Sequence, residues 1–495
     1  MPLKTPEQYV DSLRALKIRA YVGGERVEEP IDHPLVAPHV NNAAQTYTLA
    51  HQPKHEAVMT AVSHLTGERV HRFTHVFQSS DDLVKKIQML RLLGQRTGTC
   101  FQRCVGLDGL NAVYAISYEV DQGEGTDYHA RFRRYLERVQ AEDLMLAGAM
   151  TDPKGHRAKR PSEQDDPDQF VRVVKRLPDG VVIRGAKLHN TGGINAHEIL
   201  VMPGTALRPE EKDYAIACAV PADAEGVIFI FGRQTNDRRK LEGGCDIGNP
   251  RFGAVGGESM VVFDDVFVPN DRIFMNGETA YCGTLVSYFA TWHRSNYGGC
   301  KGGNADVLIG ATAKMTRMLG TERNAIVRDK LIEMIHLTET TYASAIGASA
   351  MGYALPGGSY MVEPMMANTV KQNITRNIYQ IARLSHDLAG GFVATMPEEK
   401  AFESPEIGEY LRKYHTANPE FDVMERVRFG RYIENMTSVT TMVEAMHGAG
   451  SPQAQRIVML GQAGIDKKIE LAEQVIHGTD DVAGLPLPGR SERES

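Results

Sequence analysis

Between about residues 168 and 275 the chain runs strand-like segments together with no helix-patterned stretch separating most of them. That order argues for an antiparallel sheet or barrel rather than a doubly wound fold, in which strand and helix must alternate. Phe170–Leu177 leads through Pro178-Asp179-Gly180 into Val181–Leu188, a hairpin signal. Further runs follow at Glu198–Met202, Tyr214–Val220, Val227–Phe231 and Ser259–Phe263.

The flanks have helical texture. Leu83, Ile87, Leu90 and Leu93 recur at helical spacing behind Asp81-Asp82, which suits a helix N-terminus. The pattern continues from Arg131 to Met150, and Thr151-Asp152-Pro153-Lys154-Gly155 breaks it. After about residue 280 long helices return. Val370, Ile374, Ile378, Ile381 and Leu384 form one apolar stripe, and 326–354, rich in Ala, Ser and Gly, permits close helix packing. The stripes are read as bundle core and subunit interface. The expected layout is therefore α+β: an N-terminal helical domain over 1–150, an antiparallel β domain over 151–278, and a helical bundle over 279–495 that ends in an extended tail around Leu485–Arg490. No internal repeat is visible.

Four residues stand out from this frame: Cys100 and Cys104, then His293 and Cys300 with Tyr297 and Lys301. Steps of four and seven residues turn a helix by about 400° and 700°, so each returns close to its starting face. Cys100 and Cys104 share a face if their segment is helical, as do His293, Tyr297 and Cys300. Gly298-Gly299 leaves room for something bulky to approach. Three thiolates and an imidazole suit a structural zinc or an iron–sulfur cluster. The bland alternative is that the cysteines are buried small hydrophobes and His293 a satisfied core histidine.

The chain has 495 residues, 42% hydrophobic and 24% charged, ordinary values for a globular protein. A net charge of −7 without a basic run argues against nucleic acid. No segment has the length of a membrane span, and the first residues lack a signal-peptide core, so a cytoplasmic setting with reduced thiols is expected. The other cysteines, Cys218, Cys245 and Cys282, are read as structural.

Helices, then a sheet, then a long bundle is the plan of the acyl-CoA dehydrogenase-like flavoproteins. Phe263-Asp264-Asp265-Val266-Phe267-Val268-Pro269 and Thr151–Gly155 resemble the 4-hydroxyphenylacetate 3-monooxygenase superfamily, which shares that plan. Within it, the cysteine and histidine set, with Met446–Arg456, is similar to the 4-hydroxybutyryl-CoA dehydratase family. The resemblance spans essentially the whole chain. It implies a homotetramer holding FAD and a [4Fe–4S] cluster, with Cys100, Cys104, His293 and Cys300 as cluster ligands. Gln102, Thr191, Glu258, Tyr297, Lys301 and Glu444 match the family's other active-site residues.

The implied reaction removes water from 4-hydroxybutyryl-CoA to give crotonyl-CoA, and isomerises vinylacetyl-CoA. The β proton is not acidic; a transient one-electron oxidation by flavin makes it so, and an iron accepts the departing hydroxide. An imidazole ligand is an exchangeable corner and, once released, a base with a pKa near 6.5. Glu258 and Glu444 are candidate acids or bases, Tyr297 a hydrogen-bond donor, and Lys301 a cation that offsets charge. No Rossmann glycine signature is present, so flavin contacts rest on the resemblance: Met150, Thr151, Asp152, Pro153 and Lys154, with His189, Asn190 and Thr191. Gly390-Gly391 reads as a helix C-cap rather than a phosphate contact. The alternatives are an FAD-dependent aromatic hydroxylase and a non-catalytic zinc-stabilised oligomer.

Overall fold

Strands of the middle block alternate buried and exposed residues where one face meets solvent, while Glu198–Val201 and Ile216–Ala219 are buried on both faces. In Val227–Phe231, Val227, Phe229 and Phe231 are buried while Ile230 faces out. The computed structural model of the chain describes residues 3–256 and 259–478. In it the predicted hairpin forms, Arg172–Leu177 pairing antiparallel with Gly180–Asn190 around Pro178-Asp179. Gly180–Asn190 then pairs with Ser259–Pro269, and that strand with Val227–Phe231.

The sheet is not wholly antiparallel, nor built wholly from the middle block, as expected. Ala20–Val22 pairs parallel with Val227–Phe231 and carries Glu25–Val27 at its outer edge, completing a six-stranded sheet. A four-stranded sheet, Ile273–Asn276, Ile216–Pro221, Glu198–Val201 and Leu146–Ala149, ends in a second parallel pair. The helical reading of 131–150 therefore fails in its last third. The helix Tyr128–Ala141 stops, Asp143 adopts a left-handed φ of 44°, and Leu146–Ala149 becomes a fully buried strand. Leu, Ala and Gly there carry no strand signal; pairing with Glu198–Val201 decides the conformation. The two sheets share one core, in which Ile183, Phe229, Val261 and Phe263 meet Ile199, Val201 and Val220. Tyr9, Leu13 and Tyr47 from the first residues close it.

The helical predictions hold where periodicity is strong. Ser80–Thr97 is capped by Ser79, whose hydroxyl accepts from the Asp82 N–H, and buries Leu83, Ile87, Leu90 and Leu93. It ends at Gly98, a left-handed C-cap with φ 66°. Thr279–Met318 is a 40-residue helix that packs on Ser80–Thr97, Ala325–Ala350 and Pro364–Ala389. Gly390 caps the last of these at φ 76°. Val423–Met436, Val439–His447, Pro452–Gln462 and Ile465–His477 follow. Among the described residues no helix is long and apolar enough to cross a membrane. The extended tail expected at Leu485–Arg490 lies outside the described residues.

One helix crossing positions Cys300. A Cβ at Gly94 would sit 2.5 Å from the Cys300 carbonyl oxygen, one at Gly299 2.6 Å from that of Ile87, and one at Gly303 against that of Arg91. The two helices thus touch backbone to backbone beside Cys300. Gly298 likewise presses on Ala345 and the Thr341 carbonyl. The space beside Gly298-Gly299 is taken by neighbouring helices, not left open for a ligand: the glycines serve helix packing.

Candidate active site at the helix crossing

The long helix Thr279–Met318 carries His293, Tyr297, Cys300 and Lys301 in successive turns, as predicted, with all but Cys300 buried and Cys300 half-buried. Cys104 opens the helix Cys104–Glu124. Cys100 does not share that helix. It lies in the 98–103 connection, where the left-handed Gly98 and Gln102 (φ 67°) turn the chain. The thiols still lie within electrostatic reach of one another. Burial pushes the Cys104 thiol well above its ordinary range, and the negative charge of Cys100, Cys300, Asp108 and Glu444 adds to the effect. Burial pushes Cys300 up to about 11, with Lys301 pulling the other way. Three thiols this close resist joint ionisation unless a cation sits among them, which is the service a metal centre provides.

His293 is held by a residue that the sequence pattern did not single out. Its Nδ1 lies 2.8 Å from Oδ2 of Asp108, one turn beyond Cys104. Asp108 is fully buried, and also takes the Asn296 carboxamide and the Lys86 ammonium, the latter at 3.4 Å. The ring stacks on Phe289 and meets the edge of Tyr297. A carboxylate on Nδ1 leaves Nε2 for a ligand, the arrangement usual for metal-binding histidines. Among the described residues no three His, Cys, Asp or Glu side chains gather as a site for a single metal ion. A cubane poses a different demand: each ligand takes a separate iron, so the ligand atoms stand apart instead of converging. The donor set, three thiols and a carboxylate-backed imidazole, fits such a group.

On the other side of Tyr297 the chain returns from its C-terminal part. Lys301 pairs with Glu444 in the helix Val439–His447. Burial works against the ammonium, yet Glu444 and the thiols Cys300 and Cys100 outweigh it and hold Lys301 above its ordinary range. Fully buried Lys371, whose ammonium sits 3.4 Å from the Tyr297 ring centroid and donates to the Ala445 carbonyl, is driven well below its ordinary range, chiefly by burial. Arg294 donates to the Ala449 carbonyl at 3.0 Å, and Gly448 packs against the Tyr297 hydroxyl. The 446–456 segment is thereby seated on the same helix.

The residues expected to face a flavin border this centre. Met150 is buried, Thr151 accepts from the Leu188 N–H at 2.7 Å, Asp152 pairs with Lys187, and Pro153 and Lys154 run on outside regular structure. The Asn190 carboxamide ties to the Lys187 and Ser259 carbonyls. Thr191 is half-buried, and exposed His189 sits in the left-handed region at φ 56°. Burial, then Lys154 and His447, lowers the His189 pKa, which brings side chains from three distant segments to one edge. Lys154 gives that edge a cation, which suits a cofactor phosphate. A Cβ at Gly192 would meet the Gln102 carbonyl at 2.7 Å, and the Gln102 carboxamide lies 2.8 Å from His39 Nδ1. Glu258 lies outside the described residues; its neighbour Gly256 packs on Thr440 and Glu444.

Of the residues missed, Asp108 had a signal: it stands four after Cys104, on the same helix face. Lys371 also had one, a lone cation inside the apolar stripe Val370–Ile374. His39 had none.

Known proteins resemble this chain in sequence and fold. The family models "4-hydroxyphenylacetate 3-hydroxylase N terminal" and "C terminal" match residues 5–275 and 282–477. The chain is 48% identical over 487 residues to 4-hydroxybutyryl-CoA dehydratase/vinylacetyl-CoA-Delta-isomerase of Clostridium aminobutyricum, covering 96% of this chain and 99% of that one. An oxygen-tolerant archaeal 4-hydroxybutyryl-CoA dehydratase from N. maritimus superposes with a TM-score of 0.94 at 45% identity, over 99% and 98% of the two chains. The oxygenase component of 4-hydroxyphenylacetate 3-monooxygenase, solved with FAD, superposes at 0.82 with 22% identity, over 96% and 99%, a likeness of fold.

Proposed function

The chain belongs to the 4-hydroxyphenylacetate 3-hydroxylase family and stands with its 4-hydroxybutyryl-CoA dehydratase relatives, and we propose that it dehydrates 4-hydroxybutyryl-CoA to crotonyl-CoA and isomerises vinylacetyl-CoA. One observation carries this reading: three thiols and the Asp108-backed His293 cluster around Tyr297 and Lys301, beside the strand end His189–Thr191. An aromatic hydroxylase needs no such donor set.

In this reading Cys100, Cys104, His293 and Cys300 hold a [4Fe–4S] cluster, and Met150–Lys154 with His189–Thr191 hold FAD. A bound cluster supplies a Lewis-acidic iron and bound FAD supplies one-electron redox chemistry. The protein does the rest. Lys301, kept cationic by Glu444, offsets the charge of the departing hydroxide. With Asp108 on Nδ1 fixing the tautomer, His293 Nε2 would serve either as the ligand or, when not bound to metal, as the base that takes the β proton. Glu444 moves the second proton, and Glu258 orients the substrate hydroxyl. Tyr297 is too deeply buried to ionise and serves as a hydrogen-bond donor. The active assembly is a homotetramer.

Anaerobically purified protein tests this. About four irons per chain with acid-labile sulfide, FAD, and crotonyl-CoA formed from 4-hydroxybutyryl-CoA are expected. Stoichiometric zinc refutes the cluster. FAD without iron, with oxygen-dependent hydroxylation of a phenol, restores the hydroxylase reading.

A further inference from the structure

A fully buried lysine stands behind His293. Lys86 falls inside the apolar stripe of Ser80–Thr97, between Leu83 and Ile87. Its ammonium reaches Oδ1 of Asp108 at 3.4 Å and the Trp292 carbonyl at 3.3 Å, and lies 4.9 Å from the Phe77 ring centroid. The Cys104 thiol is within its electrostatic reach. Trp292 is the residue before His293, and Asp108 is the carboxylate on the His293 ring. One buried cation thus touches both the backbone beside His293 and the partner of its side chain.

The two oxygens of Asp108 are divided. Oδ2 takes His293 Nδ1 at 2.8 Å together with the Asn296 carboxamide, and Oδ1 takes Lys86, its only partner among the described residues. Three helices meet in that arrangement. Ser80–Thr97 brings the lysine, Cys104–Glu124 the aspartate, and Thr279–Met318 the imidazole and the amide. Neither charged side chain of the pair is exposed. Taking a carboxylate and an ammonium out of water costs more than such a pair commonly returns, and apolar residues of the same volume often fold at least as well. Fold stability is therefore a weak reason for this pair. Orientation is a stronger one. Without Lys86, Oδ1 has no hydrogen bond, and the carboxylate is free to turn about its Cβ–Cγ bond and carry the imidazole with it.

We propose that Lys86 is a positioning residue for His293: by holding Oδ1 of Asp108 it reserves Oδ2 for Nδ1, fixes the plane of the ring and so aims Nε2. It acts through Asp108 and is no catalytic group itself. The glycine crossing at Gly94, Gly299 and Gly303 sets where Cys300 stands. The Lys86–Asp108 pair sets how His293 faces, about two turns earlier on the same helix. Aim matters to either use of Nε2, because a ligand and a base both act along the lone pair in the ring plane. This inference rests on the role given to His293 in the proposed function.

The test uses anaerobically purified, cofactor-loaded protein grown on the Mössbauer-active isotope of iron. In wild type the imidazole-bound iron should give a signal distinct from the thiolate-bound irons. Lys86→Met should keep the iron content but shift or broaden that one signal, leaving the others as they are. Dehydration kcat should fall about 10- to 100-fold, the usual cost of losing an outer partner of a ligand, with KM little changed. Asp108→Asn should lower kcat by a similar factor. Lys86→Met added to Asp108→Asn should lower it no further, since the lysine acts through the carboxylate. That double variant buries no charge at the pair, so it decides the matter even if Lys86→Met alone does not fold. A wild-type kcat with an unmoved signal in Lys86→Met, whatever its Tm, overturns the proposal and leaves a merely structural pair. A double variant with kcat well below that of Asp108→Asn overturns it too. Wild-type protein whose irons are all alike, or that forms no crotonyl-CoA, refutes instead the reading of His293 and the proposed function on which the inference rests.

Discussion

At Gly94, Gly299 and Gly303 two helices meet backbone to backbone, whereas at His189–Thr191 the end of a strand and the turn after it are held by a few hydrogen bonds and an unusual backbone angle. The first region fixes Cys300 to within the thickness of a peptide group. The second leaves His189 exposed and Thr191 half-buried, open to something that must enter and be gripped. A permanent metal group needs ligands that cannot drift; a dissociable flavin needs a rim that can be reached. The two sides should therefore fail separately.

The largest separation is expected from Cys300→Ala. Iron content and dehydration should vanish together while FAD and the folded state persist. Wild-type dehydration without iron would break the comparison outright. His293→Cys comes next. Thiolate binds iron at least as well as imidazole, so the iron should remain. Dehydration should still drop by at least about 10²–10⁴-fold, the range for removing a general base. Assay of both activities with iron determined alongside decides it, and isomerisation should suffer less. Gly303→Val attacks the crossing itself. Overpacking against the Arg91 carbonyl should lower stability by about 1–3 kcal/mol and reduce iron occupancy, with FAD affinity little changed. A thermal melt and an iron assay sharpen how far the thiol side depends on that contact. The smallest effect belongs to the strand end. Thr191→Ala should weaken FAD about 2- to 10-fold, one hydrogen bond's worth, with iron untouched. Loss of iron in that variant would join the two regions into one unit.

Residue order is informative where the controlling contacts are local. The stripe Leu83–Leu93, the Pro178-Asp179 hairpin, and the His293–Tyr297–Cys300 face each follow from spacing within one element. The four proposed ligands are legible as residue types, and the structure brings the thiols together. Spacing alone misplaces Cys100 on a helix, because a four-residue step says nothing about a left-handed turn at Gly98 and Gln102. Gly298-Gly299 looks like open space because sequence does not reveal that Ala345 and Ile87 fill it, while Gly302, which does border open space, carries no mark in the sequence. Leu146–Ala149 becomes a strand through a partner some fifty residues away, and Ala20–Val22 through one still farther along. Asp108 is the avoidable omission, since its spacing from Cys104 is in plain view.

Those borrowed strands bear on how the molecule is made. Ala20 sits opposite Phe229, and Ser259–Pro269 joins that strand to the hairpin, so the larger sheet cannot be completed until just over half of the chain has emerged. Contacts this distant in sequence form late and slowly. Until then Ala20–Val22 has only Glu25–Val27 beside it, and a fragment beginning at residue 151 would leave the edge of Val227–Phe231 bare and aggregation-prone. Cys100 and Cys300 meet later still, after the long helix has been delivered. Any metal group held by all four ligands is thus loaded only once the chain is well past its midpoint, and its arrival reports that the two distant halves have found each other.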